Sequence, residues 1–333
     1  MLIRDYSLLG HNTFGMDVKA AAYFEYTSVE TLRAFLCSAE FEPYRECFLV
    51  IGAGSNLLFR KDFDGLVLHS AIRDLDVVEE TDDDVLVRVG SGVCWDDFVA
   101  WSVERSLHGA ENLSGIPGEV GASAVQNIGA YGAEVCQLIE HVEALDLDGE
   151  ERLFSNEECQ YGYRDSIFKH ELKGKYIITA VTYRLRKQGE LNLSYGNLRE
   201  RVEGTSVDDV REAVCSLRAS KLPDPTVLGN AGSFFKNPVI PRWQYEHLRD
   251  VWPSIPCYLV DDGRVKVPAG WLIEQCGWKG RSLGRAAVHE QQALVLVNLG
   301  GATGDEVVSL ARHIVEDVKK KFGVEISPEV NVI

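Results

Sequence analysis

Phe48-Leu-Val-Ile51-Gly52-Ala53-Gly54-Ser55-Asn56-Leu57 sets a short apolar run against a glycine-rich turn. The run reads as a buried strand, and the turn after it offers backbone N–H groups of the kind that cradle phosphates. A plain tight turn would look the same. The dinucleotide fingerprint G-x-G-x-x-G fails here, because Leu57 stands where its third glycine belongs. The residues that follow read as a loop leading to a strand at Leu66–His69, not as a long helix. A Rossmann half is therefore excluded, and the fold must hold its ligand another way.

A second glycine-dense region runs from Ser114 to Gly132, with five glycines among Asn, Gln and Ser. It reads as poor helix and poor strand, so close approach of backbone to a flat or phosphorylated ligand is the physical reading. Around these loops, periodicity predicts strands at Val85–Val89, His141–Leu147, Tyr176–Leu185 and Ala293–Asn298. Helices are expected from a Thr27 cap through Ala39, and from Asp96 to about Arg105. Others are expected from Ser206 to Lys221, over Ala269–Cys276, and from the Thr303 capping box to Lys321. Arg218 and Lys221 read as a basic helix end suited to the dipole.

A chain of 333 residues with 45% hydrophobic and 26% charged residues implies a globular protein of two or three domains. No apolar run reaches the length of a membrane span, and the N-terminus lacks a signal-peptide pattern, so a cytoplasmic location is expected. The net charge of −17 argues against nucleic-acid binding. The eight cysteines form no C-x-x-C pair, and Cys37 and Cys215 lie in apolar periodic segments. Buried reduced thiols are expected, with no disulfide framework and no metal site.

Gly229-Asn-Ala-Gly232-Ser233-Phe-Phe-Lys236-Asn237-Pro238 presents a serine between glycine and two aromatics. Nucleophile, proton donor and turn hydroxyl are all open readings. Arg164, between Tyr163 and Asp165, reads as a surface cation–π contact, and Glu329 as a solvated carboxylate near the terminus.

Taken together the motifs resemble the UDP-N-acetylenolpyruvoylglucosamine reductase family. The resemblance rests on Asn12-Thr-Phe-Gly15, Gly52–Asn56, Ile116-Pro-Gly118, Gln126-Asn-Ile-Gly-Ala-Tyr-Gly132 and Tyr163-Arg-Asp-Ser-Ile-Phe-Lys169. It continues through Lys221-Leu-Pro-Asp224, Gly229–Pro238, Ala269-Gly-Trp-Leu-Ile273, His289-Glu-Gln-Gln-Ala293 and Pro328-Glu-Val330. Leu193-Ser-Tyr195-Gly196 is similar to the substrate-covering tyrosine loop of the family's longer type.

The resemblance implies an α+β flavoprotein of three domains: a vanillyl-alcohol-oxidase-type FAD-binding fold plus a C-terminal α+β substrate-binding domain. The implied boundaries are 1–72 with 323–333, 73–205, and 206–322. It implies reduction of UDP-N-acetylglucosamine enolpyruvate to UDP-N-acetylmuramate, with hydride passing from NADPH through FAD to C3 and a proton from Ser233 to C2. Arg164 and Glu329 complete the implied catalytic set by stabilising the enediolate-like state. Implied FAD contacts are Gly52, Ala53, Gly54, Ser55, Asn56, Ile116, Pro117, Gly118, Gln126, Asn127, Gly129, Ala130 and Tyr131. Implied substrate contacts are Tyr195, Arg218, Lys221, Asn237 and Gln292. The expected partners are small molecules alone, with the protein acting as a monomer.

Two departures from the family pattern bear on FAD contacts. Ala122 stands where many members have serine, and Asn331 where some relatives have arginine. A flavin oxidase of the same fold acting on an alcohol or sugar, or a nucleotide-binding module without turnover, would share the glycine loops. Neither would require Arg164, Ser233 and Glu329 together.

Overall fold

Alternating apolar positions and buried β-branched runs build sheets here, and the helices pack one apolar stripe against them. The computed structural model describes residues 1–333. The chain divides into two compact units. The first comprises Met1–Tyr6, Ala20–Ala53 and Phe63–Ser220, and the second comprises Ser7–Lys19, Gly54–Asp62 and Lys221–Ile333.

In the first unit, Phe48–Ile51 pairs in parallel with Phe63–Ser70, which pairs in parallel with Lys19–Tyr26 on its other side. The short crossover helix Val29–Leu36 buries Leu32, Phe35 and Leu36 against this sheet. Its cap is Ser28, not Thr27. Ser28 has the extended conformation of a cap, and its Oγ accepts the Thr31 N–H at 3.1 Å. A five-stranded antiparallel sheet follows, in the order Glu151–Ser155, Ile139–Asp146, Tyr176–Arg186, Asp84–Gly90, Leu75–Glu80. Trp95, Phe98 and Tyr183 lie at the centre of its core.

The glycine-dense region does form a helix, Val120–Gln126. Its low propensity is overridden by close packing: a Cβ on Gly121 would lie 2.8 Å from Ser91 Cβ, so only glycine lets the helix settle there. Asn127, at φ +43°, ends it in the left-handed region.

The second unit holds an antiparallel sheet in the order Gly229–Ser233, Val295–Asn298, Ala286–Val288, Ser282–Leu283. The helix Gly304–Phe322 buries Val307, Leu310, Ala311, Ile314 and Val318, the stripe its periodicity predicts. The helix Arg242–Val251, which the sequence reading did not anticipate, is strongly polar overall and buries no residue fully. The C-terminal strand Asn331–Val332 pairs in parallel with Leu57–Leu58.

All eight cysteines are free, but the expectation of burial holds only for Cys159. Cys37, Cys47 and Cys94 are exposed, and Cys215 is half-buried. Cys37 follows the last turn of its helix, where the apolar stripe has already turned away. No cluster of three or more His, Cys, Asp or Glu could hold a metal ion, and no helix is long and apolar enough to cross a membrane.

The Thr303 hydroxyl accepts the Glu306 N–H at 3.2 Å, while Glu306 Oε2 accepts the Thr303 N–H at 2.8 Å. Thr303→Ala should lower stability by about 1 kcal/mol, read as an earlier denaturation midpoint with an unchanged slope. An unchanged midpoint would contradict the role given to this cap.

Candidate active site

The turn after Phe48–Ile51 is built for glycine at two places. Gly54 has φ +67°, and a Cβ there would lie 1.9 Å from the His11 carbonyl oxygen. A Cβ on Gly52 would come 3.0 Å from Glu119 Oε2. The N–H groups of Ala53 and Gly54 find no acceptor in the protein, and those of Ile116 and Gly118 find none either. Those of Ala53, Ile116 and Gly118 lie on two glycine loops of the first unit, and backbone donors of this kind suit an anion such as a pyrophosphate. Ile116 and Gly118 are half-buried and Pro117 is exposed.

Next to Gly52, Glu119 belongs to a charged cluster around the buried His69, with Glu25 at its exposed edge. His69 Nε2 meets Glu119 Oε1 at 3.1 Å, and Nδ1 meets Glu25 Oε2 at 3.0 Å and the Tyr23 hydroxyl at 3.1 Å. Burial pushes the imidazole pKa down, but Glu119 and Glu25 outweigh it and hold His69 above the ordinary histidine value.

The segment Tyr163–Lys169 is laced to Val125–Ala130. Arg164 donates to the Gly129 carbonyl through Nη2 and to Asn127 O through Nη1 at 3.5 Å, with its guanidinium 5.3 Å over the Tyr163 ring. The expected cation–π contact is therefore present, but it accompanies a backbone clamp. Lys169 Nζ donates to Gln126 Oε1 and to Arg164 O, both at 2.9 Å. Asn127 Nδ2 donates to Gly162 O at 2.7 Å. Arg164, Asn127 and Tyr131 all have φ between +43° and +56°, a conformation costly for non-glycine residues and concentrated at functional sites.

Tyr131 packs edge-on against Tyr195, ring centres 6.1 Å apart, and a Cβ on Gly132 would touch Tyr195 Cβ at 3.3 Å. Asn112 ties this junction by donating to Tyr131 O and Asn192 O, both at 2.8 Å. Arg218 is not a solvated helix-end cation. Burial pushes its guanidinium pKa down, and its Nε donates to Gly115 O at 2.9 Å. Asp96 is likewise more than a helix-dipole carboxylate. Burial pushes its pKa up, but Arg211 and the Gly115 N–H outweigh it and hold the carboxyl below its usual range. Lys221, last residue of the helix Val207–Lys221, is exposed.

In the second unit, Ser233 ends a strand whose pairing with Val295–Asn298 is irregular between Asn230 and Ser233, with Gly232 at φ +66°. Its half-buried hydroxyl has no hydrogen-bond partner in the protein. The C-terminal segment runs alongside: Glu329 N–H donates to Phe234 O at 2.8 Å, and Lys236 N–H to Ser327 O at 3.0 Å. Asn56 Nδ2 donates to Glu329 O at 3.4 Å, and Asn331 N–H to Asn56 O at 3.1 Å. The structure thus brings together Asn56, Ser233 and Glu329, three residues far apart in the chain. Asn237 Oδ1 accepts the Ala269 N–H at 2.9 Å, and a Cβ on Gly270 would sit 3.2 Å from Gln292 Oε1. Asn237 and Gln292 therefore flank one turn of the helix Ala269–Gln275.

Arg164 and the region Ser114–Gly132 belong to the first unit, the turn Gly52–Asn56 passes from the first unit to the second at Gly54, and Ser233 and Glu329 belong to the second. Sequence reading alone overlooked Glu119, His69, Asn112 and Lys169 as supports. Lys169 carried a signal, since it closes the Tyr163–Lys169 motif.

With this geometry in view, comparison with known proteins defines the class. Residues 20–154 match the FAD binding domain family, and together with the reductase relatives named below this makes the chain a flavin-dependent oxidoreductase. Residues 224–333 match the UDP-N-acetylenolpyruvoylglucosamine reductase C-terminal domain. A UDP-N-acetylenolpyruvoylglucosamine reductase of Bacteroides fragilis is 54% identical over 98% of this chain and 99% of its own length. One of Porphyromonas gingivalis is 49% identical over 99% and 98%. The crystal structure of the Thermus caldophilus reductase superposes with a TM-score of 0.70 at 24% identity, covering 100% of this chain and 98% of that one. The chain belongs to the UDP-N-acetylenolpyruvoylglucosamine reductase family.

The raised His69 pKa carries a sign. The stabilisation from its charged form is fully present below the unfolded value of about 6.5 and is lost as pH rises through the higher folded value. His69→Gln should therefore lower the melting temperature more at pH 6 than at pH 9. An equal loss at both would contradict a protonated His69.

Proposed function

We propose that this chain reduces the enolpyruvyl ether of UDP-N-acetylglucosamine to UDP-N-acetylmuramate, an NADPH-consuming step of peptidoglycan precursor synthesis in the cytoplasm. The single observation that carries the reading is family membership along nearly the whole chain, FAD-binding and reductase segments included. Bound FAD supplies the relay of two electrons from NADPH to C3 of the substrate.

This chain's own residues then have distinct tasks. The N–H groups of Ala53, Gly54, Ile116 and Gly118 are suited to hold the cofactor pyrophosphate, with Gly52, Ser55, Asn56, Pro117, Gln126, Asn127, Gly129, Ala130 and Tyr131 lining the same cofactor. Hydride addition at C3 pushes charge toward C2 and the conjugated carboxylate. Arg164 is assigned to stabilise that charge, since a guanidinium fixed by backbone carbonyls needs no reorganisation when it develops. Glu329 is assigned to polarise the same intermediate. Ser233 is assigned to protonate C2, and its partnerless hydroxyl is consistent with a donor kept available. Tyr195, Arg218, Lys221, Asn237 and Gln292 would bind the nucleotide sugar, the cations opposing its dianionic diphosphate.

The three-part division at 1–72 with 323–333, 73–205 and 206–322 belongs to the same proposal. The separate sheets of these stretches support it. Action as a monomer, on small molecules and without a macromolecular partner, belongs to the same proposal.

The assignment of Ser233 separates the two half-reactions. In Ser233→Ala, NADPH should still bleach the flavin at the wild-type rate, while reoxidation by the enolpyruvyl substrate slows by about 10²–10⁴-fold. Equal slowing of both halves, seen by stopped-flow absorbance, would contradict the role.

A further inference from the structure

Gly115 immediately precedes the Ile116–Gly118 segment, and charged side chains hold both of its backbone polar groups. Its N–H donates to Asp96 Oδ1 at 2.6 Å, and its carbonyl accepts from Arg218 Nε at 2.9 Å. Asp96 is itself gripped by a fork, Arg211 Nη1 to Oδ1 at 2.7 Å and Nη2 to Oδ2 at 2.8 Å. Arg211 and Arg218 lie about two turns apart on the helix Val207–Lys221, so one face of that helix holds Gly115 on both sides, at its N–H through Asp96 and at its carbonyl directly. The contact is close. Gly115 has φ +67°, and a Cβ there would lie 3.3 Å from Arg218 Cδ and Nε.

An exposed ion pair would contribute little. This one is largely shielded, its side chains only 19% and 32% exposed, and it closes a circuit with a backbone N–H. Asp96 lies in the first turn of the helix Trp95–Glu104, where a carboxylate ordinarily serves its own helix end. Here it reaches out to Gly115 instead. The circuit therefore bears on the loop that follows, whose Ile116 and Gly118 N–H groups have no protein acceptor.

We propose that Asp96 and Arg211 are positioning residues for the flavin site, their ion pair fixing the Gly115 peptide and with it the Ile116–Gly118 donors and the Arg218 guanidinium. Donors already held in place lose little freedom when a ligand arrives, so their restraint reads out as affinity. The inference rests on the proposed contact of Ile116, Pro117 and Gly118 with FAD.

The test is reconstitution of the apoprotein with FAD, following quenching of flavin fluorescence, with the melting temperature of each apoprotein measured alongside. Asp96→Asn keeps an acceptor for the Gly115 N–H but loses the charge that holds Arg211. Arg211→Gln loses the fork, and Arg211→Lys keeps charge without it. Asp96→Asn and Arg211→Gln should weaken FAD binding by about tenfold or more, with Arg211→Lys between them and wild type. The apoproteins should melt within a few degrees of wild type.

FAD affinity within about twofold of wild type in Asp96→Asn and Arg211→Gln would overturn the inference while leaving the proposed function standing. A wild-type protein that takes up no FAD would overturn the function and the inference with it. Should Arg211→Gln fail to fold, the isosteric Asp96→Asn decides alone.

Discussion

The parallel pairing of Asn331 and Val332 with Leu57 and Leu58 is the constraint on which the second unit's chemistry depends. Arg60 N–H donates to Ile333 O at 3.0 Å and Ile333 N–H to Leu58 O at 2.9 Å, so the last residues are held by backbone bonds. Ordering such a segment costs about 1–2 kcal/mol per residue in backbone entropy. Burial of Val324, Ile326 and Val330, each no more than 4% exposed, offsets it. Only then is Glu329 anchored beside Phe234 and Asn56. The Glu329 backbone is thereby fixed, and its side chain is half-buried instead of fully solvated.

The first unit meets the same problem differently. Arg164, Asn127 and Tyr131 sit in left-handed backbone that costs energy, and each is restrained by specific partners: Gly129 and Lys169, Gly162, and Asn112. Neutral amide and charged side chains bonded to main-chain carbonyls recur throughout, with Lys169 and Arg164 as the charged examples. Such bonds fix the path of a glycine-rich chain that has few side chains of its own to pack. The glycines are required where backbones nearly touch, and the polar clamps supply the order that glycine lacks.

Local signals were largely legible. The Thr303 capping box, the stripe Val307–Val318 and the strand–glycine turn at Phe48–Asn56 each follow from short-range rules and appear where expected. The failed dinucleotide fingerprint correctly excluded a Rossmann half. Rules of the same kind misjudged Val120–Gln126, where packing against Ser91 overrode propensity, and gave no sign of Arg242–Val251, which buries no residue fully. The site's supports were illegible for a different reason. Asp96 and Arg211 are 115 residues apart, and Asn56 and Glu329 273 apart, so no spacing within one element could pair them. Their partnership is a property of topology.

Anaerobic spectroscopy of the purified, FAD-reconstituted protein tests the central claim most directly. Addition of NADPH should bleach the yellow flavin, and UDP-N-acetylglucosamine enolpyruvate should then restore it without oxygen. A protein that binds no flavin, or a reduced flavin that only oxygen returns to yellow, would contradict the account.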